Sequence, residues 1–134
     1  MSTSRKIRYK GGILLGVLVL LLLAGCNASN LKIGYISTGV GNTLTASYYY
    51  FDGMESRRIE GEPGEIITIA YSSEVKKGNL EMKIKSPTGE IYPLSTGDGY
   101  EEMLEIPVDK TGTYRLIVMG ERTRGSFSVN WSAI

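Results

Sequence analysis

From Thr43 onward, apolar and polar residues alternate with a period of two, and the breaks fall on turn-forming residues, which predicts strands rather than helices. In Thr43 to Phe51, Leu44, Ala46, Tyr48 and Tyr50 share one face. Asp52-Gly53 then reads as a tight hairpin, because glycine tolerates positive φ and aspartate nearly does. Met54 to Glu60 is the expected returning strand, and adjacent Arg57 and Arg58 interrupt its alternation, so an edge or solvent-facing place is predicted. After the turn Glu62-Pro63-Gly64, Glu65 to Ser72 sets Ile67, Ile69 and Tyr71 against Ile66, Thr68 and Ala70, the pattern of a central strand buried on much of both faces.

The second half repeats the pattern. Leu80, Met82 and Ile84 alternate with Glu81, Lys83 and Lys85, and Ser86-Pro87-Thr88-Gly89 closes that strand with a β-turn. Pro93 marks Ile91 to Leu94 as an edge strand. Tyr100 to Ile106 alternates with Glu102 out of place on the apolar side; Thr113 to Met119 and Ser126 to Trp131 complete the set. About seven or eight short strands at roughly ten-residue spacing, without any convincing period of 3.6, indicate an all-β, antiparallel two-layer β-sandwich of jelly-roll type.

Ahead of this domain the chain changes character. Arg5, Lys6, Arg8 and Lys10 form a basic head, and the apolar run Ile13 to Leu23 falls short of the ~20 residues that span a bilayer as a helix. The run ends in Leu23-Ala24-Gly25-Cys26, which resembles a bacterial lipobox. That resemblance implies a cleaved signal peptide over residues 1–25 and a diacylglycerol or further acyl (palmitate-type) lipid on Cys26. The protein would then be held on the extracytoplasmic face of the cell membrane, at the cell surface in a Gram-positive organism. Two or three acyl chains make such attachment durable. Residues 26–42, rich in Ser, Gly, Asn and Thr, are expected to be a tether with a possible first strand at Leu31 to Ile36, and residues 43–134 the β-sandwich.

Four of the 15 basic residues lie in the N-terminal head, leaving 11 against 14 acidic ones, so the remainder carries a net charge of −3. This removes the basic footprint of a nucleic-acid binder. The sequence has no histidine and one cysteine, which excludes Ser-His-Asp and Cys-His catalysis, histidine-ligated metals and any intramolecular disulfide. Among Glu101, Glu102 and Glu105, the first and last share a strand face but stand ~13 Å apart, too far for a glycosidase pair. The reading is therefore non-enzymatic, with no metal except weak calcium candidates in Asp98 and Asp109, each in a loop. In Tyr48-Tyr49-Tyr50-Phe51, alternation turns Tyr49 and Phe51 outward as candidate ligand-binding rings, with Arg57 and Arg58 on the returning strand as partners for an anionic wall polymer.

The succession Gly78-Asn79-Leu80, Ser86-Pro87-Thr88-Gly89, Thr111-Gly112-Thr113-Tyr114 and Gly125-Ser126-Phe127 resembles the bacterial pre-peptidase C-terminal domain and its jelly-roll relatives, over about half of the domain. The resemblance implies a sandwich fold and, by way of the peptidases that carry such domains, substrate binding or secretion. The expectation is an anchored accessory protein that engages a protein partner at the cell envelope, with a cell-wall glycan as the alternative ligand. Exposed aromatic rings on a concave sheet face would favour the sugar; a flat patch or free edge would favour the protein.

Overall fold

A computed structural model describes residues 30–134 of the chain; residues 1–25, read above as a signal peptide, and Cys26 lie outside them. Seven strands follow in order: β1 (Leu31–Ile33), β2 (Ile36–Thr38), β3 (Thr43–Gly61), β4 (Ile66–Lys85), β5 (Ile91–Leu94), β6 (Tyr100–Pro107) and β7 (Gly112–Ala133). Every pairing is antiparallel, in the order β1-β3-β7-β4-β5, with β2 also on β3 and β6 also on β4. The all-β, antiparallel expectation holds, with seven strands.

Three of these strands are long, and each serves both layers. Thr43 to Tyr48 of β3, Gly125 to Ala133 of β7 and Ile67 to Val75 of β4 pair side by side and are flanked by β2 and β6, forming a first layer. Gly53 to Gly61, Gly112 to Gly120 and Asn79 to Lys85 of the same strands pair again, now flanked by β5, forming a second. Between the two sets the register slips on both sides of β7. Ile67, Ile69 and Val129 in one layer and Ile84, Leu116 and Val118 in the other are all fully buried in one cluster, so each half of the folded sheet covers the other.

Several sequence expectations are corrected here. Asp52-Gly53 makes no hairpin: β3 runs straight through it, and Gly53 pairs with Gly120. The gaps read between Ser72 and Asn79 and between Met119 and Ser126 are likewise register shifts inside single strands. The outer face of β4 is open, with Ile66 45% exposed and Ala70 exposed, because a two-layer antiparallel sheet covers one face only. The edge readings stand: β5 pairs with β4 alone, and Met54 to Gly61 pairs with β7 alone.

Within the stretch read as a tether with a possible first strand at Leu31 to Ile36, Leu31–Ile33 and Ile36–Thr38 form two short strands on the edge of β3. The reason is Tyr35, whose ring stacks on Tyr48 at 5.8 Å and meets Phe51 at 5.3 Å. The Lys32 ammonium lies 4.5 Å over the Tyr35 ring and 2.7 Å from Glu55, which also accepts bonds from Tyr35 (3.1 Å) and Arg57 (3.2 Å). Burial pushes the Glu55 carboxyl up, but Lys32, the Tyr35 hydroxyl and Arg57 outweigh it and hold the group below its ordinary value. Residues 30–134 thus contain every strand and the buried cluster described, so a chain of these residues carries all the described contacts between strands.

Candidate functional site

Alternation along β3, β7, β4 and β6 sends small polar side chains to the outer face of the first layer, and the register lines them up. Thr38, Thr45, Ser128, Ser72 and Glu101 form one row, each directly opposite the next across five strands. Beside it runs the row Ile36, Ser47, Ser126 and Glu74. Together these residues line a groove of about 390 Å³. A second hollow of about 270 Å³ shares Ser72, Glu101 and Ser128 with it and continues over Asn130 and Met103. Among the described residues, neither hollow is lined by Lys or Arg.

The groove is chemically a set of neutral hydroxyls bordered by carboxylates. Hydroxyls both donate and accept, and ionised carboxylates accept only. Some of the hydroxyls already pair along the rows, Thr45 with Ser128 at 3.2 Å and Thr43 donating to Asn130 at 2.6 Å. Glu102, out of place in the sequence pattern, turns away from this face to accept bonds from Tyr71 (3.1 Å) and Tyr100, whose rings stack at 6.3 Å. Burial, with the Glu102 hydrogen bond and charge, pushes the Tyr71 hydroxyl up to about 12. Glu102 thereby fixes the Tyr100 ring against Tyr71 and the core cluster, on the side of β6 away from the groove.

The residues singled out in the sequence are not brought together. Tyr49 is 63% exposed, two residues beyond Ser47 on β3, with the Arg124 guanidinium 4.7 Å over its ring. Phe51, expected beside it in solvent, is 0% exposed. The extra residue between the pairings Tyr48 with Gly125 and Phe51 with Thr123 shifts the alternation and turns Phe51 inward. Arg57 is engaged by Glu55 and by the Ser56 carbonyl at 2.8 Å, so it does not stand as an open anion contact. Asp98 lies 2.9 Å from Lys76, while Asp109 sits beyond the opposite end of β6; among the described residues no three metal-ligating side chains converge.

Sequence reasoning missed the hydroxyl rows. Thr43-x-Thr45-x-Ser47 and Ser126-x-Ser128-x-Asn130 are visible as alternations, but solvent-facing Ser and Thr are ordinary in strands, and nothing local places these strands side by side.

No family model matches the chain and no curated protein matches it. Solved structures with a similar course of the chain include the enzymatically active domain of tailspike protein 4 of bacteriophage CBA120, at TM-score 0.49 and 10% identity over 79% of this chain. The chain spans 19% of that protein's length. A family 61 carbohydrate-binding module in complex with β-1,4-galactotriose gives TM-score 0.42 and 14% identity, over 78% of this chain and 68% of the module. A variant family 29 carbohydrate-binding module complexed with cellulohexaose gives 0.39 and 11%, over 80% and 81%.

Proposed function

We propose that this domain is a non-catalytic glycan-binding module, and that its ligand lies along the outer face of the first layer. The observation that carries this reading is the groove itself: four strands present hydroxyls in register and a fifth presents Glu101, with Glu74 in the row beside it and no apolar anchor pocket at the centre. A sugar chain offers hydroxyls that donate to these carboxylates and exchange bonds with the serines and threonines, while Tyr49 supplies an exposed ring beyond Ser47 at one margin. A protein partner draws its binding energy from desolvated aromatic and arginine anchors seated in pockets, which this face lacks. The glycan alternative is therefore preferred over the protein partner that the sequence slightly favoured. Attachment to the cell membrane through acylated Cys26 is part of the same proposal and rests on Leu23-Ala24-Gly25-Cys26.

The test is a panel of cell-wall and plant oligosaccharides offered to residues 30–134, with titration of any that bind. Ser128→Trp fills the middle of the groove and Glu101→Gln removes a charged acceptor. Loss of one such charged hydrogen bond is expected to weaken binding about tenfold or more, and Ser128→Trp to abolish it. No binding across the panel, or binding unchanged in both variants, would sink the proposal.

A further inference from the structure

The outer face of the second layer is chemically opposite to that of the first. Arg58 stands directly across from Arg115, and Arg115 directly across from Lys85, so three cations occupy one transverse row over three neighbouring strands. All three are exposed, and among the described residues none of them makes an ion pair. Like charges in direct cross-strand register destabilise a sheet, so this row costs the fold something and returns nothing to it. Lys83 lies in the adjacent row. The acids sharing the face are Glu81, 3.5 Å from Lys83, Glu60, which accepts from the Thr113 hydroxyl at 3.0 Å, and Glu121, which stands across from Asn79 two residues beyond Met119.

The same face leads to the N-terminal end of the described chain. From the basic row β3 and β7 run back through Ser56 and Ile117 to the exposed pair Met54 and Met119, which stand opposite each other. Met54 N donates to the Asn30 side chain at 2.7 Å, and Asn30, Met54 and Met119 line one hollow of about 410 Å³ together with the carboxylates Asp52, Glu81 and Glu121, so the cations of this face are confined to its far end. Only residues 27–29 separate Asn30 from Cys26, a reach of at most ~14 Å.

We infer that the outer face of the second layer rests on an anionic phospholipid surface, with Arg58, Arg115 and Lys85 against the headgroups and Met54 and Met119 beside the anchor point. The placement uses the Cys26 anchor of the proposed function, whereas the charge of the row is independent of it. Basic side chains near an anionic leaflet each strengthen adsorption about fivefold, so the row contributes on the order of 100-fold once the anchor holds it within reach. With this face down, the hydroxyl groove on the opposite layer points away from the membrane, where a wall glycan would be met.

Orientation can be read without the lipid on Cys26. Residues 30–134 contain no cysteine, so a hexahistidine tag before Asn30 can tether them to vesicles carrying nickel-chelating lipid, with one fluorescent probe attached through Ser56→Cys or Ser126→Cys. On vesicles containing phosphatidylglycerol, the Ser56 probe is expected to lose most of its quenching by aqueous acrylamide and the Ser126 probe to keep it. The contrast should vanish when phosphatidylcholine replaces the phosphatidylglycerol in the same nickel-chelating vesicles, and in the triple variant Arg58→Gln, Arg115→Gln, Lys85→Gln. Equal quenching of the two probes, shielding of Ser126 instead, or a contrast that survives the triple variant would overturn the inference. So would shielding of the Ser56 probe by soluble polyphosphate but not by anionic vesicles, which would assign the row to a dissolved polymer. None of these results bears on glycan binding by the other face.

Discussion

Tyr49 and Phe51 are two positions apart on one strand, yet one ring is in water and the other at the centre of the core, in contact with Tyr35 and Tyr48. The single extra residue of β3 between its pairings with Gly125 and Thr123 separates them. The two truncations therefore have different consequences. Phe51→Ala is expected to cost about 3–5 kcal/mol by denaturant unfolding, and Tyr49→Ala less than ~0.5 kcal/mol. A Phe51→Ala loss as small as that of Tyr49→Ala would mean that the ring is not in the core. The alternation of Leu44, Ala46 and Tyr48 is plain in the sequence because burial repeats every second residue; the inversion at Phe51 is not, because a bulge is a property of the strand pair. The same reasoning separates Arg57, legible as a cation but held at the β3 edge by Glu55, from Arg58, which alternation turns outward to Arg115.

At the scale of the elements, the fold depends on a crease where β3, β4 and β7 all change register and pass from one layer to the other. Glycine is required there for two separate reasons. Gly78 has φ 71° in the left-handed region, and a Cβ on it would meet the Arg122 carbonyl oxygen. Gly125, at φ 149°, would place a Cβ on the carbonyl oxygen of Glu74 in the neighbouring strand. Both atoms in the way are backbone, so no rotamer change relieves the contact. Gly125→Ala is expected to cost at least about 3 kcal/mol, while Gly41→Ala, with open space around it, costs about 1 kcal/mol or less even at its positive φ. Comparison of the two thermal midpoints checks this; equal shifts would contradict the crease. The strand segments on either side of the crease were readable one by one from their apolar period. Their joining into three continuous strands was not, since Asp52-Gly53 has the local composition of a hairpin and is kept extended by pairing of Asp52 with Leu31 and of Gly53 with Gly120. Arg57 and Glu55, charged side chains at the free edge of β3, also account for the poor alternation there and guard an unpaired edge against further strands.

For the whole molecule, the two outer faces differ: the first layer carries hydroxyls with Glu74, Glu101 and Glu105, while the second carries Arg58, Arg115, Lys83 and Lys85 alongside Glu60, Glu81 and Glu121. A net charge of −3 for the chain after Cys26 hides this division, because the charges are sorted by strand register rather than along the sequence. The fold class was legible in the alternation; the groove was not, because its rows take one residue from each of five strands distant in sequence. The most direct measurement is a map of amide chemical-shift changes in residues 30–134 as a bound oligosaccharide is titrated. The account predicts changes concentrated at Thr45, Ser72, Glu101, Ser126 and Ser128 with the second layer silent. Changes centred on Arg58, Arg115 and Lys85, or on the edge of β3 at Met54 to Gly61, would contradict it.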